Sequence, residues 1–153
     1  MSPTQQPNGH ARIGPHPGHI TSSNLYIPSA FIHTSLASST PDPSREDGNR
    51  ISGVQLIDAV RTKLALPVRT FATACVYYHR FRLAFKVDEY SYQDAALACL
   101  FVACKVEDTI KKSRDVLAGA YNVKNSEKPA APDDKVLLSP AAVVHITLDM
   151  IRY

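Results

Sequence analysis

The apolar positions of this chain recur at helical spacing, and no strand-like alternation competes with them. Ile51, Val54, Ile57, Val60 and Leu64 mark a first stripe, widened by Leu56. Pro67 opens a second helix at a favoured first-turn position, and Val68, Phe71, Cys75, Val76, Tyr78 and Phe81 continue it to about Leu83. Val87 to Ser91 is a break, with Ser91 a good N-cap. The third helix, Tyr92–Lys105, is apolar almost all round, so it is expected to be the central buried one; its alanines allow neighbours to approach closely. Ser113 opens a fourth helix, Arg114–Tyr121. A Pro-containing loop runs to Leu138, and Ser139-Pro140 then caps a fifth helix over Ala141–Tyr153. The expected class is all-α.

The first 49 residues follow another pattern. They hold seven of the eleven prolines, four of the six glycines and four of the six histidines. Such a stretch cannot bury enough apolar surface to order by itself, so residues 1–42 read as a largely disordered, flexible tail. One island breaks it: Ser29 caps a short helix near 29–36 with Phe31, Ile32 and Leu36 on one side. Two readings of that island stay open, a transient helix or an arm that docks on the domain or on a partner. His10, His16 and His19 have no Cys or carboxylate near them and read as solvated loop residues, so no metal site is expected.

Composition narrows the function classes. The chain has 153 residues, room for one ordinary domain, and a net charge of +3, too weak to argue for nucleic acid. Its three cysteines form no CxxC pair and read as small core residues in a reducing compartment. No apolar run reaches the length of a membrane span, and the N-terminus lacks a signal-peptide pattern. No Gly-rich phosphate loop, HExxH or GxSxG occurs, so no catalytic residue and no cofactor are assigned. Cys75 and His79 stand at i, i+4 without a third group, which reads as a packed helix contact. One lysine ending an apolar helix, Lys105, is of no use to a core; it suits a partner's backbone carbonyls. These features point to a binding module and away from an enzyme.

Four pieces, in order and at matching spacing, carry a family resemblance. They are Pro43-Ser-Arg-Glu-Asp-Gly48, Arg50-Ile-Ser-Gly-Val-Gln-Leu-Ile57, Tyr77-Tyr-His-Arg-Phe81, and Ala103-Cys-Lys-Val-Glu-Asp108 followed by Lys111-Lys-Ser-Arg-Asp-Val116. Residues 43–153 resemble the first cyclin box of transcription-type cyclins, a single five-helix repeat. The family includes the cyclin (beta) subunit of the fungal RNA polymerase II C-terminal-domain kinase and cyclins K, L and T. The resemblance implies a nuclear regulatory subunit that binds and activates a cyclin-dependent serine/threonine kinase and does no chemistry itself. It leaves a third regulatory subunit open as a further partner.

By the resemblance, Lys105 hydrogen-bonds backbone at the kinase αC helix, Val106 packs on the kinase and Glu107 sits near activation-segment arginines. Arg50, His79, Phe81 and Phe101 are structural. His79 stands where cell-cycle cyclins carry Asp, which removes the usual carboxylate from Arg50. The second box is missing, so the expectation is a C-terminally truncated repeat. The alternative is a cyclin-fold adaptor, or transcription-factor-like module, that binds nucleic acid or a scaffold without a kinase. Lys105, Lys111, Lys112 and Arg114 are basic enough for phosphates, but Glu107, Asp108 and Asp115 interleave with them, and direct nucleic-acid binding is not expected.

Overall fold

A computed structural model describes residues 26–85 and 88–134. Among the described residues there are five helices: α1 (Ser29–Ser39), α2 (Pro43–Lys63), α3 (Val68–Ala84), α4 (Tyr92–Val106) and α5 (Ser113–Lys124). Among the described residues there is no strand. The expected fifth helix of the repeat, Ala141–Tyr153, lies outside the described residues, as do the N-terminal histidines. The five observed helices are thus the four expected first ones, preceded by the island helix.

α4 is central, as its composition requires. Ala95 through Leu100, Ala103 and Cys104 are all buried. α3 and α2 pack on it, and α5 closes against α2 and α4. Ser91 caps α4: its hydroxyl accepts from the Asp94 N–H at 3.1 Å.

The helix starts differ from the expectation in instructive ways. α2 begins at Pro43 instead of near Arg50, because Asp42 accepts from the Arg45 N–H and Pro43 takes the first turn. That cap-and-proline signal outweighs Gly48 further along. Pro67 is the residue before α3, and Ser29 and Ser113 lie inside their helices. The Lys112 N–H at the head of α5 is held by the Asp115 carboxylate at 2.9 Å. The island helix α1 lies against α3.

The buried face of α3 is not the most apolar one. It comprises Thr70, Ala74, Tyr78, Phe81 and Arg82, while Val68 and Val76 are exposed. On α2 the buried positions are Glu46, Gly53, Ile57 and Val60, and Ile51 is exposed. An ion pair explains this rotation. Arg82 Nε donates to Glu46 Oε1 at 2.9 Å, its Nη2 donates to Glu46 Oε2, and its Nη1 donates to the Tyr90 carbonyl at 3.2 Å. Both side chains are sealed from solvent, a bidentate arrangement that pins α2 to α3. Phe81 is in the core, against Phe85 and Tyr90, and Phe101 packs on the core from a half-buried position.

Glu46 also answers the question raised by His79. Arg50 Nε lies 3.2 Å from Glu46 Oε1, an ionic contact one helical turn away. Arg50 therefore keeps a carboxylate neighbour, supplied by its own helix. Its Nη1 lies 3.5 Å from His79 Nδ1. Burial first, and the Arg50 cation second, hold the His79 imidazole below its ordinary pKa of 6.5. The sign follows: a depressed folded-state pKa contributes stability above pH 6.5 that is lost as the pH falls through the folded value. The His79 ring is partly open to solvent, so the effect is modest. The urea midpoint is expected to fall between pH 7.5 and 5, and His79→Gln is expected to flatten that slope. Parallel slopes for both proteins would remove His79 from the account.

Candidate functional site

Two helix ends meet at one edge of the molecule: the last turn of α4 and the first turns of α3. α4 stops there with a Schellman motif. The Thr109 N–H bonds the Cys104 carbonyl at 2.9 Å, the Asp108 N–H bonds the Lys105 carbonyl at 3.4 Å, and Asp108 takes a left-handed φ of 52°. This turn throws the chain outward directly after Lys105, Val106 and Glu107.

The three predicted residues have distinct surroundings. Lys105 is exposed in the last turn of α4, where a cation complements the helix dipole. Its Nζ stands 5.1 Å from the centroid of the Phe101 ring, a cation–π contact that steadies the ammonium without using up its donors. Val106 is 55% exposed, and Ile110 beyond it 80%. Val68, in the first turn of α3, is likewise open at 68%. Three aliphatic side chains near the end of α4 and the start of α3 are thus open to solvent.

Glu107 is engaged within the chain. Thr73 Oγ1 donates to its Oε1 at 2.6 Å, Arg69 Nε lies 3.7 Å from its Oε2, and Arg69 Nη2 donates to its backbone carbonyl at 3.3 Å. Thr70 and Thr109 hydroxyls bond each other at 2.8 Å just behind. Sequence reasoning missed Arg69, Thr70 and Thr73. Their spacing places them on adjacent faces of one helix, but nothing in the sequence says that this helix faces Glu107.

The structural set lies elsewhere. Arg50 and His79 stand with Glu46 and Arg82 on the α2–α3 side, Phe81 is in the core, and only Phe101 reaches the Lys105 edge. Glu46 and Arg82 were also missed; the i, i+4 spacing of Glu46 and Arg50 was the available signal for the first.

Among the described residues, no three His, Cys, Asp or Glu side chains converge on a metal position. The thiols of Cys75, Cys99 and Cys104 are all pushed up by burial, so none is poised as a thiolate nucleophile. No helix of the described residues is long and apolar enough to cross a membrane.

Comparison with known proteins decides the family. The family model for the cyclin N-terminal domain matches residues 29–131. The chain belongs to the cyclin family. Within it, the relatives are transcription-type cyclins. The CTD kinase subunit beta of Schizosaccharomyces pombe is 42% identical over 87 residues, covering 57% of this chain and 26% of that protein. Cyclin pch1 of the same organism is 35% identical over 91 residues, covering 60% and 27%. Human Cyclin-K is 34% identical over 95 residues, covering 62% and 16%. The chain thus spans about a quarter of the length of the first two.

The crystal structure of the yeast RNA Pol II CTD kinase CTDK-1 complex contains a chain that superposes with a TM-score of 0.71 at 19% identity, over 83% of this chain and 40% of that one. That likeness shows the fold. The α1 arm falls within the matched cyclin region, whose first residue is also the first residue of α1.

Proposed function

We propose that this cyclin is a nuclear regulatory subunit that binds and activates a cyclin-dependent serine/threonine kinase acting on the C-terminal domain of RNA polymerase II. One observation carries the reading: the α4 end presents an exposed ammonium, Lys105, among the exposed aliphatic side chains of Val106 and Ile110. An ammonium offers three donors to carbonyls at the end of a kinase helix, and the aliphatic groups supply the apolar contact.

Activation follows from placement of the kinase αC helix. A kinase is competent only when its αC glutamate pairs with the β3 lysine. A rigid surface that binds the inward αC position better than the outward one shifts the population toward the active state by that difference in affinity. The cyclin contributes no reacting group.

The test is capture of transcriptional cyclin-dependent kinases by this chain, beside Lys105→Glu. One kinase is expected to bind, and the charge reversal to weaken it by about a hundredfold, the cost of truncating and reversing a buried charged contact. Capture is expected to change little between low and physiological salt, because the contact is largely apolar. Equal capture by wild type and variant would overturn the reading. A steep loss with salt would point to the phosphate-binding alternative instead.

A further inference from the structure

The short hydrogen bond from Thr73 to Glu107 has a role that the kinase-binding reading does not assign. We propose that Thr73 and Arg69 are positioning residues for the docking face. They hold Glu107 so that the segment from Glu107 to Ile110 is fixed before a partner arrives, and Glu107 acts through that clamp. The proposal rests on the kinase-binding reading and deepens it.

Three observations converge. First, the segment's own bonds are the backbone ones that end α4, from the Glu107, Asp108 and Thr109 N–H groups. It follows a helix end, passes through a left-handed Asp108, and carries Ile110 almost fully open to solvent. Left-handed backbone is costly for a residue with a Cβ and persists where surrounding contacts determine it. Second, the side-chain contacts that reach the segment from outside α4 come from one turn of α3. Arg69 reaches the Glu107 carbonyl, Thr70 reaches Thr109, and Thr73 reaches the Glu107 carboxylate. Backbone and side chain of Glu107 are therefore both tied to the same helix.

Third, the geometry leaves Glu107 poorly placed to reach outward. Its side chain is 24% exposed, and both carboxylate oxygens face α3 groups, one toward Thr73 and one toward Arg69. A hydroxyl donating to a carboxylate at this distance is among the stronger neutral-to-charged contacts. Arg69 remains 66% exposed while it contacts Glu107. Pre-ordering a binding segment raises affinity by removing the ordering cost from the association step.

The experiment compares kinase capture by Thr73→Val, Thr73→Ser, Glu107→Gln, Glu107→Ala and Lys105→Glu, with amide hydrogen exchange of Val106–Ile110 in the free chain. Val keeps the shape of Thr and removes the hydroxyl; Ser restores it. Thr73→Val is expected to weaken capture about tenfold, the equivalent of one hydrogen bond to a charged group. It is also expected to speed exchange in the segment while α2 and α3 stay protected. Thr73→Ser and Glu107→Gln, which keep the donor and an acceptor, are expected to stay within about threefold of wild type.

Several results would overturn the clamp. These are wild-type capture by Thr73→Val, failure of Ser to rescue, unchanged exchange in Thr73→Val, or a loss in Glu107→Gln as deep as in Glu107→Ala. The last, with exchange in the segment unchanged, would mean that the charge itself meets the partner. Failure of Lys105→Glu to weaken capture sinks the kinase-binding reading separately, and the exchange data then decide the clamp alone.

Discussion

Glu46→Gln is expected to lower the unfolding free energy by about 3–5 kcal/mol, the usual cost of leaving one partner of a buried ion pair behind. Glu46 is fully buried on α2 and Arg82 is 1% exposed on α3. The carboxylate accepts from two nitrogens of Arg82 and lies 3.2 Å from Arg50 Nε. One anion therefore serves two cations. The neutral amide keeps the shape and one acceptor, so the substitution isolates the charge. Arg82 cannot reach solvent to recover its hydration, since its third nitrogen is already tied to the Tyr90 carbonyl.

Urea unfolding followed by helical circular dichroism measures the effect, because loss of the α2–α3 contact melts helices. Glu46→Met with Arg82→Met is the informative companion. Replacing both charges by packed apolar groups is commonly neutral or stabilising, so the pair is expected to recover most of the loss. A change below about 1 kcal/mol in Glu46→Gln would mean that water already screens the pair.

Gly53→Ala carries the second largest expected effect on stability, a loss of about 2 kcal/mol. A Cβ at Gly53 would overlap the ring of Tyr78, which is wholly buried and whose hydroxyl donates to the Asn49 carbonyl at 2.8 Å. The ring must move, and moving it costs about 1–3 kcal/mol of overpacking strain and about 1 kcal/mol of hydrogen bond. Against this stands the gain of about 1 kcal/mol that alanine brings to a helix interior. Gly48, on the same helix, is the control: a Cβ there meets nothing within 4 Å, so Gly48→Ala is expected to stabilise by up to about 1 kcal/mol. Opposite signs for the two changes are the diagnostic result. Tyr78→Leu, added to Gly53→Ala, is expected to recover part of the loss by vacating the space. Equal and positive effects at both glycines would show that α2 and α3 do not approach as closely as described.

The two cases show why the stripes read from apolar spacing were turned slightly from the true faces. Ile51 and Val76 sit at helical spacing with core residues, yet they are exposed. Glycine, threonine, glutamate and arginine take the buried positions instead. Hydropathy ranks those residues as surface. Packing put them inside because a glycine lets two helices touch, and because an arginine and a glutamate neutralise each other on opposite helices. Neither fact is visible until the partner helix is in place.

What the sequence determined alone was local. The run of apolar residues in α4 dictates a buried central helix, since no face of it is polar enough to meet water. Ser91 and the Asp42-Pro43 pair define helix starts through bonds made within a few residues. Lys105 stood out because a cation ends that apolar helix. The tertiary structure decided everything that needs two distant segments at once. It brought Glu46 to Arg82, which are 36 residues apart, so that the carboxylate already beside Arg50 on α2 also holds α3. It brought Thr73 to Glu107, 34 residues apart, and turned that carboxylate onto α3. Bonds of this reach depend on the relative rotation of packed helices, which is set by the volumes filling the space between them and not by the order of residues along either one.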